Sequence, residues 1–233
     1  MKNLVLAFFI LAFVWTNATD NDQYVLNLDL KNIEEDLVNV TLYVPKIDRD
    51  TVVYNMPKII PGTYSIYNFG RFVEGLKAID TTGTELPVRK LDENRWEITN
   101  AKALSHLAYR VKDSYDEPRG AGIFEPAGTN IEAGKNIVLN TFGFAGYLDH
   151  LKKIPYQVEI LRPQEFYGET SLPRESTGDS TDVFIAKDYF QLHDCPMLYC
   201  EPDTAAMYVD DTRIVVSVYS PTGVVKAAEV LDL

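Results

Sequence analysis

Apolar and polar residues alternate along most of this chain with the period of two that a half-buried β-strand requires. The alternating segments are rich in Val, Ile, Tyr and Thr, and clusters of Gly, Pro, Asn and Asp separate them. They are residues 23–30, 37–45, 51–59, 71–80, 85–92, 95–99, 106–113, 136–144, 155–161 and 181–190. This spacing predicts an all-β fold, an antiparallel sandwich or barrel, of which we favour the antiparallel β-sandwich. The stretches "DTTG" (80–83) and "LDEN" (91–94) are predicted hairpin turns.

The pattern changes near Pro202. Residues 212–220 form a predicted strand with a continuous apolar run, and residues 220–233 predict an amphipathic helix with Ser220 or Thr222 as its N-cap. A helix of about ten residues with an uncovered apolar stripe is marginal in water. We therefore expect a β-sandwich domain over 19–203 and, over 204–233, the start of a further domain whose remainder is missing.

The amino-terminal residues have the composition of a secretory signal peptide. Lys2 precedes the apolar run "LVLAFFILAFVW", and small residues follow it up to Ala18. The run is shorter than the roughly twenty residues that a membrane-spanning helix needs. We expect residues 1–18 to be removed and the protein to be exported, periplasmic or secreted, without a later membrane span.

The net charge argues against a nucleic-acid partner, and the two cysteines bear on a disulfide or a zinc site. The net charge of −12 disfavours nucleic acid, because phosphates would be repelled. The two cysteines, Cys195 and Cys200, could form a local disulfide in an oxidising compartment or remain two buried thiols, and both alternatives stay open. Their spacing, with only His193 nearby, does not supply four zinc ligands.

The sequence contains no complete set of catalytic residues. The histidines, His106, His150 and His193, are far apart and form no H-E-x-x-H pattern. Acidic residues cluster in the irregular stretch 114–136 and just before it, at Asp113, Asp116 and Glu117, and a hydrolase could use such a pair; turn acids are also expected by chance in an acidic protein. Trp96 and the tyrosines could stack on sugar rings, which suggests a binding module as an alternative.

The segment "MPKIIPGTYSIYNFGRFVEG" (56–75) concentrates aromatic, proline and glycine residues around one arginine. Pro61 and Gly62 force a turn, and large aromatic side chains follow. One interpretation is an aromatic-lined corner of the β-domain. The other is a cleft surface, for which Tyr64, Tyr67 and Arg71 are the candidate substrate or interdomain contacts.

This segment and the residues up to "NRWEI" resemble the N-terminal domain of the glycyl aminopeptidases, metallopeptidase family 61. The matching residues are Met56, Pro57, Pro61, Gly62, Tyr64, Phe69, Arg71, Val73, Glu74, Gly75, Gly83, Lys90, Asn94 and Trp96. The later stretches "TFGFAGYLDHLKKIPYQVEI", "DYFQLHDCPMLYCEPDTA" and "IVVSVYSPTGVV" also resemble secreted bacterial relatives. At Cys200 an asparagine is usual, so the resemblance implies no shared disulfide.

The resemblance implies a non-catalytic β-domain followed by the first strand and helix of a thermolysin-like domain. In the full-length protein that domain would hold zinc through H-E-x-x-H and a downstream glutamate, and would remove small N-terminal residues such as Gly or Ala from peptides. No catalytic or metal-binding residue is assigned in this chain, and no cofactor; by itself we expect it to be inactive. Its expected partners are its own catalytic domain and, in the full-length protein, a peptide substrate. The alternative is a stand-alone β-sandwich that binds glycans or peptides, and a complete hydrolase using loop carboxylates ranks last.

Overall fold

The computed structural model describes residues 22–117 and 122–232. These residues form 18 strands. The strands are β1 (Tyr24–Glu34), β2 (Leu37–Tyr43), β3 (Thr51–Asn55), β4 (Val73–Asp80), β5 (Glu85–Leu86), β6 (Val88–Asp92), β7 (Arg95–Thr99), β8 (Leu104–Lys112), β9 (Asn130–Glu132), β10 (Asn136–Leu139), β11 (Tyr147–Leu148), β12 (Tyr156–Leu161), β13 (Tyr167–Glu169), β14 (Arg174–Thr177), β15 (Thr181–Ala186), β16 (Met197–Cys200), β17 (Asp203–Val209) and β18 (Thr212–Val218). The all-β class is thus confirmed. The predicted signal peptide, residues 1–18, and part of the predicted 114–136 loop lie outside the described residues.

The helical segments are short. They are the 3-10 turns Phe69–Phe72, Ala101–Ala103, Glu125–Ala127 and Thr141–Gly143, and the α-helices α1 (Tyr189–His193) and α2 (Ala227–Leu231). None of the helices in the described ranges has the length and apolar character needed to cross a bilayer.

The strands pair into four sheets. The largest has the order β14-β15-β12-β1-β2-β8-β4-β5; the others are β13-β16-β10-β9, β11-β3-β7-β6 and the hairpin β17-β18. Pairing is antiparallel except between β1 and β12, which run parallel with Tyr24 opposite Tyr156. The predicted turn at 80–83 is present, and Gly83 adopts a φ of 85°, which favours glycine.

Alternation explains how the sheets pack. In β1 the residues Tyr24, Leu26, Leu28 and Leu30 point inward, and their neighbours in sequence are more exposed. One apolar core joins side chains from the three larger sheets, including Val52, Tyr54, Trp96 and Ile98 from the β11-β3-β7-β6 sheet and Ile137, Leu139, Met197 and Tyr199 from the β13-β16-β10-β9 sheet. The sheets therefore share one hydrophobic interior, as in a sandwich.

Several predicted strands end early. The segment predicted over 181–190 leaves the sheet at Ala186, and Asp188 then caps α1 by accepting a hydrogen bond from the backbone N–H of Gln191 at 2.9 Å. The segment over 136–144 ends at Leu139 and continues as a 3-10 turn. The predicted N-cap of the last helix is wrong: Lys226 occupies that position, while Ser220 Oγ accepts from Val225 N in a preceding turn.

Buried tyrosines satisfy the backbone of residues 144–148, which crosses the interior mostly without strand pairing. The N–H of Gly146 donates to the Tyr54 hydroxyl at 2.8 Å, and the Tyr109 hydroxyl donates to the carbonyl of Phe144 at 2.6 Å. The two hydroxyls are 2.8 Å apart, so Tyr54 donates to Tyr109 and completes the chain. Burial raises the pKa of Tyr54 to about 12, which keeps the hydroxyl protonated as this chain requires.

Three further tyrosines serve the same segment. Tyr24 accepts from the N–H of Leu148 at 2.9 Å, Tyr156 donates to the carbonyl of Gly146 at 2.9 Å, and Tyr189 donates to the carbonyl of Ala145 at 3.1 Å. Buried backbone groups need such partners, because an unpaired one costs the desolvation free energy of that group. Five of the 14 tyrosines thereby have a structural role in this one segment.

We expect Tyr54→Phe to lower the free energy of unfolding by about 1–3 kcal/mol, because the N–H of Gly146 stays buried and loses its acceptor. Urea unfolding followed by fluorescence measures the change. Tyr43→Phe is the matched control: Tyr43 is 40% exposed, so its change should stay within about 0.5 kcal/mol. Equal effects of the two substitutions would contradict the structural role of the buried hydroxyl.

A buried ion cluster ties the edge of the large sheet to the neighbouring sheet. Asp182 is fully buried and accepts from Arg162 Nε at 2.8 Å, from Tyr199 Oη at 3.1 Å and from the hydroxyl of Thr177. Arg174 lies 3.1 Å from the other carboxylate oxygen. The carboxylate therefore has several partners at once, which a buried charge requires.

The hairpin β17-β18 and α2 contact one another apart from this core. Among the described residues, the main core cluster contains no member of β17 or β18. Large apolar side chains on this unit are exposed: Met207, Tyr208, Val209, Ile214, Val224, Val225 and Val230. The change in the pattern of apolar and polar residues near Pro202 thus coincides with the start of a separate two-stranded sheet.

Candidate functional site: the 57–69 loop and its pocket

The residues between Pro57 and Phe69 form a closed surface loop, which we call the 57–69 loop. The carbonyl of Lys58 accepts from the N–H groups of Tyr67 at 2.9 Å and Asn68 at 3.0 Å. The carbonyl of Pro57 accepts from the N–H of Phe69 at 3.1 Å. Because these bonds join both ends, the loop has a fixed base, and its turn at Pro61-Gly62 lies on the surface.

Asn94 anchors this base from the neighbouring hairpin. Its side chain is buried; Oδ1 accepts from the N–H of Gly70 at 3.0 Å and Nδ2 donates to Asn68 Oδ1 at 2.9 Å. Its carbonyl accepts from the N–H of Met56 at 2.8 Å. A Cβ on Gly70 would lie 2.3 Å from the carbonyl oxygen of Glu93, so the close approach requires glycine.

A small apolar cluster supports the loop from inside. It consists of Ile60, Phe69, Ala127 and Phe142, with Tyr67 packed against it. The rings of Phe69 and Phe142 meet edge to face at 4.9 Å between centroids. The loop thus has a packed interior of its own.

The three candidate residues of this segment lie in different environments. Tyr67 is half-buried against the small cluster, and the guanidinium of Arg71 lies 4.6 Å from the ring centroid of Phe72. Tyr64 is 93% exposed and has a φ of 56°, a left-handed conformation that a bulky residue rarely adopts. The same segment thus contains a packed corner and a projecting aromatic side chain, and its role as a cleft surface stays a prediction.

A pocket of about 380 Å³ lies beside the loop. Its lining comprises Asn55, Met56, Pro57, Lys58, Ile59, Ile60, Pro61, Asn94, Arg95, Tyr147, Lys152, Tyr189, Phe190 and His193. The ammonium of Lys152 lies over the rings of Tyr147 and Phe190, each 4.6 Å from the ring centroid. Sequence reasoning singled out Met56, Pro57, Pro61 and Asn94 through the family resemblance and His193 as a histidine, but it did not group them with Tyr147, Lys152 or Phe190, because no local pattern marks side chains that the topology brings together.

The acidic residues before and within the 114–136 stretch have structural partners. Asp113 is buried, and its carboxylate accepts from the backbone N–H groups of Tyr115, at 2.5 Å, and Ile131. Burial raises the pKa of Asp113, and these backbone bonds oppose that shift. Glu117 is paired with Lys112 Nζ at 2.6 Å. These contacts favour the structural interpretation of the acids over a hydrolytic pair.

The remaining candidates are dispersed. Burial lowers the pKa of His106, and His150 is exposed. Cys195 and Cys200 are both buried and are not joined in this structure, and burial raises the pKa of Cys200 to about 11. Trp96 is only 4% exposed, so its ring is not available to stack on a sugar. Within the described residues, no three His, Cys, Asp or Glu side chains are grouped closely enough to hold a metal ion.

Comparison with known proteins gives one family and a consistent fold. Residues 25–201 match the family model of the peptidase M61 N-terminal domain. An aminopeptidase N family protein from Idiomarina loihiensis has a similar structure, with a TM-score of 0.74 and 20% identity over 85% of this chain and 32% of that chain. An M1 zinc metallopeptidase from Deinococcus radiodurans matches with a TM-score of 0.47 and 14% identity, over 87% of this chain and 50% of that chain. No curated protein sequence matches this chain.

Proposed function

Because this chain belongs to the peptidase M61 N-terminal domain family, we propose that it is the non-catalytic β-domain of an exported zinc aminopeptidase. In that protein another domain, with the H-E-x-x-H motif, would remove small N-terminal residues such as Gly or Ala from peptides. The observation that carries the proposal is the family match, which spans nearly all of the shared core. The chain spans about a third of the Idiomarina loihiensis protein that it resembles in structure.

The donor set of this chain supports a catalytic centre in another domain. Zinc sites in peptidases need three protein ligands with an open fourth position. The described residues provide no such group, so the residues present do not fit a zinc ion. We therefore derive no step of peptide hydrolysis from residues 22–117 and 122–232.

The exposed unit β17-β18 with α2 lies almost entirely in the segment 204–233, which we propose to be the start of the catalytic domain, so its uncovered side chains would face the remainder of that domain. Tyr208 is 69% exposed, and Met207, Val209 and Val224 are also uncovered. Exposed large apolar side chains grouped on so small a unit are a candidate interface. The partner that we propose for these side chains is the remainder of the catalytic domain in the same protein. We also propose that residues 1–18 are an export signal.

The 57–69 loop is the proposed wall of the substrate cleft. The left-handed backbone conformation of Tyr64 is energetically unfavourable for a bulky residue, and its exposed side chain packs against little of its own chain. Strained residues of this kind are concentrated at functional sites. Tyr67 packs against the small apolar cluster under the loop, and Arg71 lies just after the loop and stacks on Phe72. In this arrangement Tyr64 contacts the peptide, and the other two candidates hold the position of the loop.

In a protein that contains this chain together with the proposed catalytic domain, we expect Tyr64→Ala to lower kcat/KM for glycine or alanine anilides about tenfold, the loss of one aromatic contact of roughly 1.4 kcal/mol. Thermal stability should not fall, because the side chain is exposed. Tyr43→Ala, an exposed tyrosine of β2, is the control and should leave activity unchanged. Unchanged kcat/KM in the Tyr64 variant would remove the loop from the cleft.

Two further arms test the wider proposal. The chain of 233 residues alone, with added zinc, should give no turnover, and the complete protein should be inhibited by chelators. Chelator-sensitive turnover by the chain alone would contradict the non-catalytic assignment. The alternative, a stand-alone module for glycans or peptides, would gain support if the complete gene encoded no H-E-x-x-H and the chain bound immobilised glycans.

A further inference from the structure

The pocket beside the 57–69 loop is basic although the protein is acidic. Its charged lining residues are Lys58, Arg95 and Lys152, and no Asp or Glu lines it. The whole chain has a net charge of −12. We propose that this pocket binds a small ligand through its carboxylate, an amino-acid derivative or the C-terminus of a short peptide.

Lys152 is the centre of the proposed site. Its ammonium lies 4.6 Å from the ring centroids of Tyr147 and Phe190 and 5.6 Å from that of Tyr189. Aromatic faces stabilise a cation without neutralising it. No ion pair among the described residues includes Lys152, so its full positive charge remains available to an incoming anion.

The other charged residues near Lys152 determine the net charge of the pocket. Lys58 forms no ion pair within the described part of the chain either, and it belongs to the fixed base of the loop. Arg95 is shared with Asp92, at 2.7 Å, and Asp149 just outside the lining accepts from Asn55 at 2.6 Å. Asp92 also interacts electrostatically with Lys58, so the three cations Lys58, Arg95 and Lys152 outnumber the two nearby carboxylates by one, which favours a ligand with one negative charge.

The walls define the rest of the ligand. Met56, Ile59, Ile60, Pro61 and Phe190 provide apolar surface next to the lysines. A volume of about 380 Å³ is at the small end of the range for ligand pockets, roughly 300–1,000 Å³. An acid that carries one apolar side chain matches this combination of charge, surface and size, and the inference does not depend on the proposed peptidase role.

The test compares acids with their neutral amides on the purified chain. Isothermal titration with N-acetyl-phenylalanine, and with an acetylated tripeptide that ends in phenylalanine, should show binding, and the corresponding amides should bind about tenfold or more weakly. This factor corresponds to the loss of a charge-assisted hydrogen bond. Binding of the tripeptide alone would identify a peptide C-terminus as the source; binding of both would show that the carboxylate and one side chain suffice.

Charge-removing variants locate the site. Lys152→Gln and Lys58→Gln should each weaken binding of the acid about tenfold, and Lys153→Gln, which removes the same charge from an exposed neighbour outside the lining, should not. Lys58 contributes to the loop through its backbone carbonyl, which the substitution does not change. Lys58→Gln therefore still tests the site if Lys152→Gln fails to fold. Equal affinity for acid and amide, or unchanged affinity in Lys58→Gln, would overturn the proposal.

Discussion

Gly146→Ala is expected to lower the free energy of unfolding by more than about 4 kcal/mol, or to prevent folding altogether. A Cβ at this position would lie 1.9 Å from the backbone oxygen of Asn55 and 3.1 Å from Met56 Sδ. The obstacle is backbone and cannot rotate away. Moving the chain would also break the bonds of Gly146 with Tyr54 and Tyr156, leaving buried polar groups unpaired.

Gly143→Ala is the matched control, three residues earlier, in the buried 3-10 turn that precedes this segment. Its Cβ would lie 3.5 Å from Thr129 Cγ2, an ordinary van der Waals contact. Urea unfolding and the yield of soluble protein compare the two variants. A Gly146→Ala protein as stable as the Gly143→Ala protein would show that the segment does not approach Asn55 as closely as described.

Asp182→Asn is expected to cost about 3–5 kcal/mol, because it removes one partner from a buried charge cluster and leaves the guanidinium groups of Arg162 and Arg174 without their anion. Chemical denaturation at neutral pH measures the loss. Glu85→Gln removes an exposed partner of Lys77, whose ion pair should contribute no more than about 1 kcal/mol. Similar losses in the two variants would contradict the importance of burial.

The same carboxylate makes stability depend on acid pH. Burial pushes the pKa of Asp182 upward, but the hydrogen bonds from Arg162 and Thr177 and the arginine charges outweigh it, so the folded-state pKa lies below its ordinary value. This contribution is present above the pKa of the unfolded chain, about 3.9, and is lost as the pH falls through the folded-state pKa. The Asp182→Asn protein should lack this part of the acid dependence.

Alternation predicted the strands that lie within the large sheets. The segment 95–99 coincides with β7, and 155–161 starts one residue before β12, because one face of each strand is buried and the period of two is strict. The strands β9, β11 and β13 were not predicted, since two or three residues cannot show a period. They form because another strand offers free backbone groups, as β16 does to β13.

The strand predicted over 181–190 was too long, although a local helix-start signal was present in the sequence. Asp188 followed by Gln191 is a helix-start pattern, and both side chains accept backbone hydrogen bonds at the beginning of α1. The apolar residues around it extended the predicted strand too far. Residues 189–193 therefore form a helix and not a strand, because Asp188 caps the helix and the helix still buries Tyr189 and Leu192.

The candidate site was predicted in part. Pro61 and Gly62 predicted the turn of the 57–69 loop, because these residues impose turns, but the predicted strand over 51–59 ends at Asn55 and residues 57–59 belong to the loop. Nothing local distinguishes the exposed Tyr64 from the half-buried Tyr67, since exposure depends on what packs beside them. Lys152 and Phe190 reach the pocket through the topology, so their role could not be predicted from sequence spacing.

The parallel pair β1 and β12 has a consequence for biosynthesis. The first strand of the large sheet to leave the ribosome occupies an interior position, and one of its two neighbours is encoded far downstream. Such high contact order slows folding. Until β12 emerges, a nascent chain presents one side of β1 as an unpaired edge, which is a template for aggregation and a binding site for chaperones.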